Sequence, residues 1–486
     1  MQFTSFYFIL VFLPVTLLLY HGIGSRNRSA ARLLLLAASF LFCGLSDLWS
    51  LFILLAQILV GVFFSVHILR AGSRSARARH LLILAVTLQI AALAYFKYMG
   101  FLVGSIGILL NRDMVWQNLI LPIGISYTTF TQIAFLADCY RGTIREAVSP
   151  VTYALYLAFF PRLVQGPITA GTDLLTELSG DSGGRVTAEG LADGLVLFVL
   201  GLSKKIFLAD LFGRPVDFAF HSIPFLSTLD ILIVILSYSF QIYFDFSGYS
   251  DMAIGIARMF GYTLPVNFNS PYRADSITDF WRRWHMSLTG FLREYIYFPL
   301  GGSRKGPART CLNILIVYLL SGLWHGANWT FLLWGLLHGL LQVTERICGG
   351  ILPRIPRVIR QITTFLWASI LWLLFRSPSI GDFRMMLDQL LVDGNWTIRP
   401  EFGEMIRVPG VRTILSVLGI DHVDALSSLL SIGLYLAAAL LLCLQPRNNE
   451  SAPYRKTGRL LLAVTALAVL CFLNTNEVSA FLYTSF

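Results

Sequence analysis

Trp324-His325-Gly326-Ala327-Asn328-Trp329 sets a titratable histidine at the turn between two strongly apolar arms. Residues 311–323 before it are apolar apart from Asn313, Tyr318 and Ser321, and the following arm covers residues 331–341. Basic residues flank both outer ends, Arg304, Lys305 and Arg309 before and Arg346, Arg354 and Arg357 after. The positive-inside tendency puts both ends in the cytoplasm. An arm of about fourteen helical residues climbs only about 21 Å, against a hydrocarbon core about 30 Å thick. The turn, and His325 with it, is expected inside the membrane. An ionisable group is expensive there, and a functional role is the default reading. The bland alternative is a helix-packing histidine bonded to a backbone carbonyl.

Composition gives the class. Of 486 residues, 56% are hydrophobic and 13% charged, with a mean hydropathy of +0.68. A soluble domain carries about 25% charged residues, so the chain reads as an all-α polytopic membrane protein. Apolar runs fall at residues 3–20, 30–45, 51–69, 81–110, 119–137, 151–164, 191–211, 231–246, 311–323, 331–341, 362–375, 425–444 and 460–472. Several fall short of the roughly 20 residues a full span needs, which predicts about eleven spans plus re-entrant pieces walled in by protein. No charge precedes the first run and no small-residue cleavage site follows it, so it reads as a retained span rather than a signal peptide. The chain is expected to form one domain over 1–486. Its parts are N-terminal helices over 1–115, a motif-bearing core over 116–345 and C-terminal helices over 346–486.

The net charge of +10 raises the question of nucleic acid, but its placement answers for orientation instead. Arg26, Arg28 and Arg32 cluster in the first loop, and Arg70, Arg74, Arg77 and Arg79 follow the third apolar run. Two short helices join these clusters, so both lie on one side, the cytoplasm, and the N-terminus is external. Arg447, Arg455, Lys456 and Arg459 form a further cytoplasmic cluster. Between Arg376 and the 425–444 run, a loop carries Asp382, Asp388, Asp393, Glu401, Glu404, Asp421 and Asp424 and falls on the external side. No nucleic-acid footprint is needed.

Cys43, Cys139, Cys311, Cys348, Cys443 and Cys471 lie in or beside apolar runs and no two form C-x-x-C. They read as small buried hydrophobes and offer no metal site. The most polar internal stretch, residues 172–187, reads as a loop, and it holds a decoy. Gly180-Asp181-Ser182-Gly183-Gly184 matches G-x-S-x-G, but a nucleophile elbow needs a strand before the serine and a helix after it. A Ser/Gly-rich connector between membrane helices is the better reading. None of the eight histidines has Asp five positions later, and H-E-x-x-H is absent, so neither an H-x-x-x-x-D acyltransferase nor a zinc protease has footing. A transporter would favour inverted internal repeats, and none is found.

Chemistry-bearing residues concentrate between Ser237 and Gly339. In Ser237-Tyr238-Ser239-Phe240-Gln241-Ile242-Tyr243-Phe244-Asp245-Phe246-Ser247-Gly248-Tyr249-Ser250-Asp251, the residues Gln241, Asp245 and Tyr249 recur four apart and share one helical face. Asp251 lies near the helix end. Such a stripe in a membrane bundle implies either a wet cavity or helix-to-helix hydrogen bonds, and the pattern does not choose. After the turn-rich Asn267-Phe268-Asn269-Ser270-Pro271 come Asp279-Phe280-Trp281-Arg282-Arg283-Trp284-His285-Met286-Ser287-Leu288. Trp281, Trp284, Leu288, Leu292 and Tyr295 recur at helical spacing among Arg282, Arg283, Arg293 and Glu294, which predicts an interfacial helix with its aromatics in lipid. On spacing alone His285 faces water.

Taken together these strings resemble the membrane-bound O-acyltransferases, and within them the bacterial branch of the alginate O-acetylation membrane subunit. The resemblance rests on Leu121-Pro122-Ile123-Gly124-Ile125-Ser126-Tyr127, Asp138-Cys139-Tyr140-Arg141-Gly142 and Phe159-Phe160-Pro161-Arg162-Leu163-Val164-Gln165-Gly166-Pro167. It continues through Lys204-Lys205, the Asp245–Asp251 string, Asn267-Phe268-Asn269, Phe280-Trp281-Arg282-Arg283-Trp284-His285, Tyr297-Phe298-Pro299-Leu300-Gly301-Gly302, Leu323-Trp324-His325-Gly326 and Phe481-Leu482-Tyr483. These follow in order over nearly the whole chain; the terminal Thr484-Ser485-Phe486 fits more loosely.

The resemblance implies helices around a funnel that reaches a buried histidine. It implies that His325 is the catalytic residue, with His285 second. Gln241, Asp245, Tyr249, Asp251, Asn267 and Asn328 are expected to line the tunnel or bind substrate. The resemblance further implies an acyl donor used from the cytoplasm, acetyl-CoA or an acyl carrier, with no tightly bound cofactor and no metal. The acyl group emerges outside, where an SGNH-type or serine-nucleophile partner completes transfer to a polysaccharide. The residues permit that chemistry: a neutral histidine in an apolar site accepts a proton from an attacking hydroxyl and returns it to a leaving thiol, or is itself transiently acylated. Asn328 and Gly326 offer donors for the developing oxyanion, although Gly326 also serves a tight turn. The expected activity is O-acetylation of a secreted or cell-wall polysaccharide by a multi-pass protein of the inner or plasma membrane, with D-alanyl transfer to teichoic acid as the alternative within the family.

Overall fold

The computed structural model describes all residues except 118, 170–171, 181–182, 407–409, 420–422, 446–457, 475–477 and 483–486. Helices account for every regular element among them. The decoy residues Asp181 and Ser182, Arg447, Arg455 and Lys456 of the basic cluster expected in the cytoplasm, the acidic Asp421 and the terminal Tyr483 to Phe486 lie outside the described residues.

The first long helices follow from apolar length and well-placed caps. Asn27 accepts from Ala30 N at the start of Arg28–Ser46, Asp47 accepts from Trp49 and Ser50 N at the start of Leu48–Ala71, and Ser75 accepts from Ala78 N at the start of Ala76–Lys97. Each side-chain oxygen satisfies a backbone donor that the first turn leaves free. Arg28–Ser46 and Leu48–Ala71 follow each other across Asp47 and pack together. Seven described helices are long and apolar enough to cross a bilayer, fewer than the expected eleven or so. The shortfall has local causes. The 81–110 run divides at Tyr98 into Ala76–Lys97 and Met99–Leu110, and helix over the 119–137 run begins only at Ile125. The 151–164 run breaks at Phe159, ahead of Pro161.

Ala188–Ser203 continues through a π-turn at Lys204–Ala209 into Asp210–His221 and packs antiparallel against the 32-residue Thr228–Met259 helix. Their contact runs along glycines: a Cβ on Gly194 would stand 2.4 Å from Gly255 O, and one on Gly201 would stand 2.5 Å from Gly248 O. Small residues let the two backbones approach, as helix pairs in lipid require.

Three local expectations change. The 172–187 stretch is not wholly loop. Asp173–Ser179 is helical with Leu174, Leu175 and Leu178 buried, and Arg32 donates to Leu178 O at 2.8 Å. The acidic 377–424 stretch likewise folds into Ile380–Asp388, Pro400–Met405 and Val411–Val417. The segment after Asp279 is not one interfacial helix with aromatics in lipid. It breaks at His285 into Ile277–Arg283 and Met286–Leu292, and Trp281 and Trp284 are buried in protein. Trp284 packs on Phe280 and Trp372, and Trp281 on Trp334. A helical period identified an apolar face but not what covers it; here that is other aromatic rings.

Candidate active site

The hairpin quoted first is present as Pro307–His325 and Trp329–Ile347. Glycines bring its arms together: a Cβ on Gly322 would lie 2.2 Å from Phe331 O, and one on Gly335 would lie 2.3 Å from Tyr318 O. The first arm has 19 residues because the helix opens at Pro307, ahead of the apolar run, and it rises about 28 Å. Arm length therefore does not set the depth of His325. Packing does. The imidazole is 3% exposed, with ring centroids of Trp324, Trp334 and Phe375 at 4.9, 5.2 and 5.2 Å. The carbonyls that end the helix are held from another element: Tyr98 donates to Leu323 O at 2.7 Å, and Lys97 Nζ donates to Trp324 O at 2.7 Å and His325 O at 3.0 Å.

His285 sits on the other side of Trp324, ring centroids 5.9 Å apart. Its backbone is left-handed, φ 44° and ψ 53°, a conformation uncommon outside glycine and asparagine. The neighbouring segment splints it: Asn269 N donates to Arg283 O and Met286 N donates to Asn267 O, both at 2.9 Å. Asn267 also fixes the ring. Its Oδ1 accepts from Ser287 N at 3.2 Å and Ser287 Oγ at 2.7 Å, and lies 3.2 Å from His285 Nδ1. An oxygen accepting two donors makes Nδ1 the protonated nitrogen, which leaves the Nε2 lone pair as the basic position. Nε2 is buried with no protein partner. His338, which the sequence reading passed over, differs: its Nδ1 accepts from Trp281 Nε1 at 3.2 Å within the same aromatic cluster.

Two cavities meet this hairpin from opposite ends. One of about 350 Å³ lies at the turn end and is lined by Ser46, Lys97, Gly124, Tyr127, Trp324 and His325. The other, about 580 Å³, lies between the open ends of the arms. Its lining includes Trp281, Arg282, Arg293, Tyr318, Ser321 and Arg346. Ser321 and His325 are one turn apart on one helix, about 6 Å of rise. The carboxylate lining the larger cavity, Glu345, is committed to Ile277 N, Thr278 N and Thr278 Oγ1. No carboxylate pairs with Arg282, Arg293 or Arg346 among the described residues.

The other expected site residues are placed elsewhere. Asp245 and Asp251 lie on one helix as expected, but each is in an ion pair, Asp251 with Lys204 at 2.6 Å and Asp245 with Lys205 at 2.8 Å. Of the two readings left open for the polar stripe, these two residues follow helix-to-helix bonding. Tyr249 lies between the rings of Phe3 and Phe481, and Gln241 is buried facing Gly213. Asn328 caps Trp329–Ile347 through Thr330 N and donates to Pro378 O at 2.8 Å. None of these, nor Asn267, lines either cavity. The residues missed were Lys97, Tyr98, Trp334, Phe375 and His338. Lys97 alone left a trace: a cation inside the 81–110 apolar run with no acidic neighbour.

Residues 93–377, which include both candidate histidines and Lys97, match the membrane-bound O-acyltransferase family. The chain belongs to that family. This membrane-bound O-acyltransferase is 37% identical over 403 residues to the probable alginate O-acetylase AlgI of Pseudomonas aeruginosa, covering 82% of this chain and 76% of the relative. It is 36% identical over 403 residues to the peptidoglycan O-acetyltransferase of Helicobacter pylori, covering 77% of this chain and 76% of that one. A more distant likeness, 28% over 270 residues, links it to the teichoic acid D-alanyltransferase of Bacillus subtilis, over 52% of this chain and 65% of the relative. As a family member it is a multi-pass membrane enzyme that transfers acyl groups.

Proposed function

We propose that this acyltransferase moves an acetyl group from a cytoplasmic thioester, acetyl-CoA or an acyl carrier, across the inner or plasma membrane for O-acetylation of a secreted or cell-wall polysaccharide. An extracytoplasmic partner with a nucleophilic serine would complete delivery. The observation that supports this most is the pair of cavities reaching the His325 hairpin from opposite ends, one of them lined by Arg282, Arg293 and Arg346, which have no carboxylate partner among the described residues. Such a lining favours a donor carrying phosphates. The lining of the arginine-bearing cavity includes Arg346, Leu352 and Pro353, on the basic flank that the positive-inside tendency assigns to the cytoplasm.

In this reading a hydroxyl entering from the turn end gives its proton to His325 as its oxygen bonds to the acyl carbon. The carbon–sulfur bond then breaks, and the thiolate takes the proton. His285, with Nε2 basic, stands across Trp324 as the second base.

Sealed vesicles test direction. Inverted membranes should use added radiolabelled acetyl-CoA, whereas right-side-out membranes should need permeabilising first. In intact cells, Arg77→Cys and Arg304→Cys should resist an impermeant thiol reagent and Asp388→Cys should react; all three positions are exposed or largely so. Equal use of donor from both faces, or labelling of Arg77→Cys from outside, would sink the vectorial reading.

The Asn267 support gives a second test. Asn267→Ala releases the His285 ring and Ser287 together, and misplacement of a reacting group by an ångström costs about a hundredfold. Asn267→Asp keeps the acceptor oxygen and should lose far less. Wild-type acetyl transfer by Asn267→Ala membranes at matched protein level would remove His285 from the chemistry.

A further inference from the structure

Of the two oxyanion donors expected beside His325, Asn328 does not line the cavity that His325 lines, and its side chain is engaged at Thr330 N and Pro378 O. The cavity that His325 lines contains another donor. Lys97 reaches it from the last turn of Ala76–Lys97. Two of its three N–H bonds are directed to Trp324 O at 2.7 Å and His325 O at 3.0 Å. Those contacts fix the ammonium beside the histidine backbone and at the negative end of the Pro307–His325 helix. No carboxylate neutralises it among the described residues. Among the described residues lining the cavity, Lys97 is the one lysine, arginine or carboxylate side chain, and the other cation there, the Met1 ammonium, donates to Ser46 Oγ.

We propose that Lys97 is a catalytic residue that donates its third N–H to the oxyanion formed at the transferred carbonyl. This rests on His325 being the acyl-transfer centre. When the acceptor oxygen bonds to the acyl carbon, the carbonyl pair moves onto oxygen as an alkoxide. When that pair returns, the carbon–sulfur bond breaks and the thiolate takes the proton held by His325. Lys97 keeps all its protons throughout. A preorganised donor aimed at charge that develops only in the transition state raises kcat, and its loss costs about a hundredfold or more. A carbonyl cap alone would act through stability.

The test reads CoA thiol release from acetyl-CoA by membranes, with unfolding followed on the same protein in detergent. Lys97→Met should lower kcat about a hundredfold while KM for acetyl-CoA stays near its original value, since an interaction made only in the transition state does not hold the ground state. Lys97→Cys, made with the partly exposed Cys311 and Cys348 changed to Ser, allows chemical rescue. Bromoethylamine restores an ammonium at the lysine's length and should recover turnover. Iodopropane adds a neutral chain of equal length and should not. Equal recovery with both reagents, or a loss that only tracks the folded fraction, would reduce Lys97 to a helix cap. A wild-type kcat in Lys97→Met beside an inactive His325→Gln overturns the Lys97 role alone. An active His325→Gln overturns the site itself.

Discussion

His325→Gln should reach the membrane at normal levels and transfer acyl groups at a rate reduced by about a hundredfold to ten-thousandfold. Glutamine keeps a donor and an acceptor but takes up no proton at neutral pH, so the change separates proton transfer from hydrogen bonding. The rings of Trp324, Trp334 and Phe375 pack around His325, and they persist around a side chain of similar reach. His338→Gln is the matched control. It retains an acceptor for the Trp281 indole, now 3.2 Å from the imidazole, and should keep most activity. Acyl transfer at the wild-type rate by His325→Gln, at equal membrane level, would make His325 a packing residue.

Asp245→Ala should fail in the opposite way, through folding rather than chemistry. Lys205 Nζ lies 2.8 Å from Asp245 Oδ1 and 2.9 Å from Asp210 Oδ1, and it donates to Ser479 Oγ and Ala480 O. The other carboxylate oxygen of Asp245 accepts from Leu482 N at 2.9 Å. The Lys205 and Asp245 side chains are each 1% exposed. Leaving a buried charge with no partner costs about 3–5 kcal/mol; Asp210 still faces Lys205, so the loss here should be a smaller part of that. The C-terminal segment also loses its anchor. Thermal unfolding in detergent should occur at a clearly lower temperature and membrane levels should fall, while molecules that fold keep their specific activity. Unchanged stability with abolished transfer would return Asp245 to the site.

Residues whose role is set by their own chemistry were legible in the sequence. The apolar runs, the arginine clusters at the ends of the Arg28–Ser46 and Leu48–Ala71 hairpin, and the His325 turn could all be read from composition and local order. Asp245 and Asp251 were visible as costly charges, but their partners were not, since Lys204 and Lys205 lie 47 and 40 residues away. The pattern at Trp281 and Trp284 was misread for a related reason. Amphipathic spacing says which side chains share a face and cannot distinguish lipid from Trp334 and Trp372. The left-handed turn at His285 was hidden because its cause, the paired backbone of residues 267–269, lies upstream in a segment read only as a break. Lys97 shows the same limit: its two carbonyl partners are 227 and 228 residues distant.

The single turn between Ser321 and His325 also has an electrical side. In the proposed vectorial reading, with the two cavities open to opposite faces, the transmembrane voltage would fall mainly across the wall between them, where Ser321 and His325 stand about 6 Å apart along one helix. An acetyl group crosses such a wall as a neutral passenger. A proton passed from an outer hydroxyl to an inner thiolate does not: it moves inward through most of the field, and each charge so moved is worth about 2.3 kcal/mol per 100 mV. With that direction of transfer, an interior-negative potential would pull the reaction forward, and the rings of Trp324, Trp334 and Phe375 packed around His325 would insulate the two sides from each other.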